Sequence, residues 1–276
     1  NKKDIPVVCT HHFALEYILD SLDLFGLVTP LTRRALVIYL NSVYKDCDMV
    51  TCPSESMRQV LMRSGVKAPI RVISNGIDVH HFQVPPVGTP RKLPDDVPNI
   101  LFMGRMSKEK NLEVLFEAVP LVLAHKSVRF VLAGTGDRLA LYKSIIRRQG
   151  LSDWVVFIGN VASGSSVQNQ LYHESTAFVI TSNIETQGIV VMEAMACGLP
   201  VIASRSAALP ELVRHGESGY LFTPDHAEDL AARILQVVNH PDKAKQMGET
   251  GRELIKAHEL SNTVDQYIAL YKGLIR

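Results

Sequence analysis

Short apolar runs of strand length alternate along this chain with longer segments of helical periodicity. Runs at 5–10, 49–52, 70–73, 99–103, 127–133, 155–158, 177–181, 199–203 and 219–222 predict strands. Several, such as AFVIT at 177–181, are apolar without alternation, as in parallel strands buried on both faces. Helices are predicted over 14–24, 31–44, 112–124, 138–149, 166–174, 188–197, 211–214 and 227–239, with Pro120 expected to kink its helix. A further helix starts at Pro53-Ser54-Glu55, with Ser54 as N-cap. In the last segment Val264, Tyr267, Ile268, Leu270, Tyr271 and Leu274 fall at helical spacing, so this helix needs a surface to pack on, expected to be the first domain. Such β-then-α alternation implies parallel sheets covered on both faces. The Pro-, Gly- and charge-rich stretch 85–98 reads as a linker. It divides the chain into a first domain (1–84), a second domain (85–258) and a closing helix (259–276).

Composition narrows the class. The 276 residues are 46% hydrophobic and 21% charged, with a net charge of +1, which suits an ordinary globular protein and argues against a nucleic-acid stripe. The four cysteines (Cys9, Cys47, Cys52 and Cys197) form no CxxC pair and read as reduced core residues of a cytoplasmic protein. No apolar run approaches the roughly 20 residues that span a bilayer. The chain opens at Asn1 and enters a strand almost at once, an odd beginning for an α/β protein; an N-terminal portion is expected to be missing.

The most informative chemistry is a pair of carboxylates, Glu185 and Glu193, in ETQGIVVMEAMACGLPVIAS. Glu185 follows a predicted strand, at the edge where parallel sheets bind ligands. Glu193 lies just over one turn into a helix whose first N–H groups, at Gly188, Ile189 and Val190, favour a phosphate. Glu193 can then accept from sugar hydroxyls beyond that phosphate, the outline of a nucleotide-sugar site. Arg105 and Lys110 follow another strand and can both reach a diphosphate, whereas Lys108 and Glu109 read as a solvated turn. Gly134-Thr135-Gly136-Asp137 lacks the third glycine of a dinucleotide fingerprint, since position 139 is Leu139, and reads as a tight turn bringing backbone close to a nucleotide. Val161 either offers backbone contacts to a base or belongs to a structural turn. His11 and His12 end the first strand and point to opposite faces. No third ligand recurs near them, so no metal site is expected.

Together these segments resemble the retaining glycosyltransferases of the GT-B fold, the class that includes sucrose synthase, glycogen synthase and bacterial lipid glycosyltransferases. The matching stretches are CDMVTCPSE, VISNGIDVHHF, FMGRMSKEKNLEVLFEA, FVLAGTGD, VFIGNV, ETQGIVVMEAMACGLPVIAS, LPELVRHGESGYLF and YIALY. The resemblance implies two Rossmann-like domains with parallel sheets, the first of them truncated by roughly a hundred residues. It implies that Arg105, Lys110 and the amides of Gly188, Ile189 and Val190 hold a donor diphosphate, that Glu193 binds the ribose, and that Glu185 and His12 face the transferred sugar. It further implies same-face attack with the donor phosphate accepting the proton, and no cofactor or divalent metal. The donor would be a nucleotide diphosphate sugar, UDP-linked ahead of GDP-linked. The acceptor would be a lipid, a glycan or a small molecule, and peripheral contact with the cytoplasmic membrane face is compatible with Arg33 and Arg34. The rival reading is a nucleotide-binding fragment without turnover. One departure stands out: where the family usually has Gly-Gly before Pro-Glu, this chain has Ala207-Ala208-Leu209-Pro210-Glu211.

Overall fold

The computed structural model describes residues 5–13, 29–88 and 90–275, without the side chain of Arg33; the helix predicted over 14–24 lies outside these residues. Two parallel sheets are present, as the strand–helix alternation requires.

The first sheet has the order β1 (Val8–Thr10), β2 (Met49–Cys52), β3 (Ile70–Val72), all parallel, with Cys9 opposite Val50 and Thr51 opposite Arg71. Helix α1 (Pro30–Tyr44) starts where Thr29 and Thr32 cap each other and Pro30 supplies a preset φ. Helix α2 (Glu55–Arg63) starts at Ser54, whose hydroxyl accepts from the Met57 amide as expected of an N-cap. A short helix, α3 (Val79–Gln83), carries Val79 and Phe82 into the apolar core of the second sheet.

The second sheet has six parallel strands in the order β6-β5-β4-β7-β8-β9. These are β4 (Asn99–Met103), β5 (Arg129–Ala133), β6 (Val155–Gly159), β7 (Ala177–Ile180), β8 (Val201–Ser204) and β9 (Gly219–Phe222). The order reverses direction between β4 and β7, and an open parallel sheet binds ligands at the carboxyl edge of such a reversal. Successive residues of β4 feed opposite cores. Ile100 and Phe102 pack with α4 (Leu112–Leu123), α5 (Leu139–Arg148) and α9 (Ala227–Asn239), while Leu101 and Met103 pack with α6 (Ser166–His173) and α7 (Ile189–Ala196). Helix α4 runs through Pro120 and ends within a turn of it. Helix α8 (Leu209–Leu212) begins two residues before the predicted start, because Pro210 sits comfortably in a first turn.

Helix α10 (Pro241–Ile255) was not predicted. Its buried side, Ala244, Met247, Gly248, Gly251 and Ile255, falls at helical spacing but carries only two large apolar side chains. Gly248 lies so close to Gly198 that a Cβ there would stand 1.9 Å from the Gly198 carbonyl oxygen. The last helix, α11 (Leu260–Leu274), packs beside the first sheet. The Tyr267 hydroxyl lies 3.1 Å from Thr51 Oγ1 and 3.4 Å from Thr10 Oγ1, and the Ile77 carbonyl accepts from Leu260 N.

Candidate functional site

The reversal between β4 and β7 opens a cavity of about 390 Å³ at the carboxyl edge of the second sheet. Arg105, Gly134, Val161, Ile189, Val190 and Glu193 all line it, so six residues singled out in the sequence converge from four strand ends. Gly134 makes the approach possible: its φ is +135°, and a Cβ there would stand 1.9 Å from the Gly104 carbonyl oxygen. Gly188, at φ +95°, turns the chain into α7, and no side chain caps that helix. The amides of its first turn therefore remain as donors at the cavity edge.

Glu193, on α7, is 4% exposed. Its Oε2 accepts from Gln168 Nε2 at 2.7 Å and from the Tyr172 hydroxyl at 2.8 Å. Burial raises its pKa to about 7, and the Tyr172 hydrogen bond opposes that rise. The same burial and the facing carboxylate push the Tyr172 phenol up, so this hydroxyl acts as a donor. Neither Gln168 nor Tyr172 was singled out in the sequence. The available signal was their i, i+4 spacing on the helix preceding β7, which places both on one face.

Lys110, Glu185 and Gly188 do not line this cavity; Lys110 and Glu185 are paired with each other, Lys110 Nζ donating to Glu185 Oε1. The Lys110 carbonyl accepts from Thr181 Oγ1 at 2.7 Å, which ties the turn after β4 to the end of β7. Asn111, at φ +50°, and Asn183 both donate to Asp225 Oδ1, at 2.7 and 3.0 Å. Arg105 is 65% exposed, with Nη2 3.4 Å from Glu109 Oε1. Glu109 is not the solvated residue expected of that turn. Its side chain is 10% exposed and accepts from Ser107 Oγ at 2.6 Å, because the turn folds inward under Arg105.

The loop after Glu185 also bonds to the first domain. Ser54 Oγ donates to the Thr186 carbonyl at 2.6 Å, Gln187 Nε2 donates to Ser74 Oγ at 2.6 Å, and Asn75 N donates to Gln187 Oε1 at 3.0 Å. Of the two histidines ending β1, His11 is buried, its Nδ1 2.6 Å from the Tyr44 hydroxyl, and desolvation lowers its pKa to about 4. His12 is exposed at the carboxyl end of β1 and does not line the cavity. Cys52 and Cys197 are buried, whereas Cys9 and Cys47 are half-buried. Among the described residues, no group of three His, Cys, Asp or Glu side chains could hold a metal ion, and no helix is long and apolar enough to cross a membrane.

Comparison with known proteins follows the same lines. Residues 89–254 match the family model described as glycosyl transferases group 1, and residues 1–81 match glycosyltransferase family 4. Alpha-monoglucosyldiacylglycerol synthase of Streptococcus pneumoniae is 31% identical over 85% of this chain and 54% of its own length. Glycogen synthase of Mycobacterium tuberculosis is 27% identical over 98% of this chain and 64% of its own. Among solved structures, sucrose-phosphate synthase of Thermosynechococcus elongatus superposes with a TM-score of 0.83 at 25% identity, covering 99% of this chain and 69% of that one. Alr3699/HepE of Anabaena, solved in complex with UDP and glucose, gives 0.79 at 22% identity, covering 97% and 72%. The chain spans about half the length of the first curated relatives it matches, 46 to 54%.

Proposed function

The chain belongs to the glycosyl transferases group 1 family, with the GT-B arrangement of two parallel sheets, and from that premise we propose that it moves a hexose from a nucleotide diphosphate sugar to an acceptor hydroxyl. One observation carries the reading. At the strand reversal, a buried carboxylate, an uncapped helix start and an arginine converge on one cavity. In this reading Glu193 accepts from the ribose hydroxyls. The first-turn amides of α7, with Arg105 and Lys110, hold the diphosphate and stabilise the charge that grows on it as the sugar departs. Gly134 and Val161 border the nucleoside, while Glu185 and His12 face the transferred sugar.

The proposed stereochemical course is retention, with the donor phosphate taking the acceptor proton. The pairing of Glu185 with Lys110 supports this, because a carboxylate neutralised by an ammonium is a poor nucleophile and a poor base. A UDP-linked donor is favoured by the UDP and glucose of the Alr3699/HepE complex, and a lipid or glycan acceptor by the names of the relatives. The protein would then work in the cytoplasm, in peripheral contact with a membrane when the acceptor is a lipid. No cofactor or divalent metal takes part in the proposed course.

The test is incubation with UDP-glucose and, separately, diacylglycerol or a short glucan, following UDP release and the anomeric configuration of the product by NMR. An α-linked glucoside supports retaining transfer. A β-linked product would overturn retention, and nucleotide binding without release of UDP would leave only the binding half of the reading.

A further inference from the structure

Gln168 is almost fully buried on α6, yet its amide reaches the cavity wall. Its Oε1 accepts from Gly164 N at 2.6 Å, and its Nε2 donates to Glu193 Oε2 at 2.7 Å. The amide has one workable orientation, since a flip would set donor against donor at Gly164 and lone pair against lone pair at Glu193. Ser165 begins the helix and accepts from the Gln168 amide at 3.2 Å, which fixes where the side chain starts. One turn later, the Tyr172 hydroxyl donates to the same Oε2.

Both protein donors therefore engage Oε2, which directs the other carboxylate oxygen of Glu193 to a ligand. The same amide anchors Gly164, which follows the cavity-lining Asn160, Val161 and Ser163 on the loop after β6. One buried side chain thus ties the loop bordering the proposed nucleoside to the carboxylate proposed for the ribose.

We propose that Gln168 is a positioning residue for nucleoside recognition, holding Glu193 and the loop after β6 in register so that ribose and base are bound together. This rests on the donor-site reading above. The substitution that isolates the role is Gln168→Glu, which keeps the shape and the Gly164 bond but turns the donor facing Glu193 into a second carboxylate. The ionisable groups around it are Glu193 and Cys197 of α7 and its end, Tyr172 of its own helix, and Arg105 across the cavity. Of these, Glu193 meets the new carboxylate directly, so one proton would be shared between the two.

The experiment is calorimetric titration of the wild-type chain, Gln168→Glu, Gln168→Met and Glu193→Ala. The probes are UDP, GDP, ADP and the matching 2′,3′-dideoxy nucleoside diphosphates, and near-UV circular dichroism reports the fold of each variant. At about pH 8, Gln168→Met, which removes both bonds of the side-chain amide, is expected to weaken nucleoside diphosphate binding by about tenfold or more, the loss typical of hydrogen bonds to a charged group. The dideoxy analogue should bind wild type and variant alike. At the same pH a second carboxylate holds the pair's proton affinity above that of Glu193 alone, so the shared proton keeps a donor in place and Gln168→Glu should retain most of the binding that Gln168→Met loses. Equal weakening towards the ribonucleoside diphosphate and its dideoxy analogue, or binding unchanged in both Gln168 variants while Glu193→Ala loses it, would overturn the positioning role and leave the donor site standing. A folded wild type that binds none of UDP, GDP and ADP would overturn the donor site and the positioning role with it.

Discussion

Lys110 and Glu185, 75 residues apart in sequence, form an ion pair across the strand reversal, with side chains 14% and 9% exposed. It joins the turn after β4 to the loop after β7, the two segments that the reversal brings together. Removing one partner of a buried pair leaves an uncompensated charge, which typically costs about 3 kcal/mol. Lys110→Met should lower stability by roughly that amount in urea unfolding, and Lys110→Met with Glu185→Gln should recover most of it. Two additive losses in the double-mutant cycle would mean that the pair is not coupled.

Glu193 predicts a pH dependence of stability. Its folded pKa of about 7 lies above the ordinary 4.5 because of burial. Between those values the folded chain keeps a proton that the unfolded chain releases. Its contribution is therefore fully present below 4.5 and lost as pH rises through about 7, a cost on the order of 3 kcal/mol above that point. Glu193→Gln should melt higher than wild type at about pH 8, with the gap shrinking towards about pH 5. A gap that widens on acidification would contradict the burial argument.

Glu211 makes a contact between the domains that can be read separately. Its Oε2 and Oε1 accept from Glu55 N and Ser56 N, at 2.9 and 2.6 Å, satisfying the first amides of α2 beside the cap from Ser54. Glu211→Ala should cost about 1 kcal/mol, in the range of a lost helix cap. Faster hydrogen exchange at Glu55 and Ser56, with Met57 little changed, would be its signature. Unchanged exchange at those two amides would mean that the domains do not hold this contact in solution.

Ala207 sits at φ +49°, where an L side chain is strained by about 1–2 kcal/mol and glycine gives back about half of that gain through its looser unfolded chain. Ala207→Gly is therefore expected to raise stability by about 0.5 kcal/mol, measured as a higher denaturant midpoint at unchanged slope. A loss of stability would mean that the methyl group packs usefully where it is.

Much of the site was legible because its chemistry lies next to strong local signals. Glu185 precedes and Glu193 lies within an apolar helix between two apolar strands, Gly134 directly follows a strand, and Arg105 comes two residues after another. Partnership was not legible. Nothing in the local sequence says that Lys110 meets Glu185 or that Gln168 meets Glu193, since each pair is made by β4 and β7, or α6 and α7, coming together in the fold. Glu109 read as solvated because a charged turn gives no sign of folding inward. Helix α10 escaped because Gly248 packs by close backbone approach to Gly198 and Gly251 sits against the Met195 side chain, and a glycine carries no hydrophobic signal. The closing helix was legible from its periodicity, although Tyr267 reaching Thr10 and Thr51 was not.

The most direct measurement is calorimetric titration of the folded chain with UDP, GDP and ADP, alongside Glu193→Ala. The proposed donor site predicts selective micromolar binding of one nucleotide, weakened in the variant. Binding that is equal in wild type and Glu193→Ala, or absent for all three nucleotides, would contradict it.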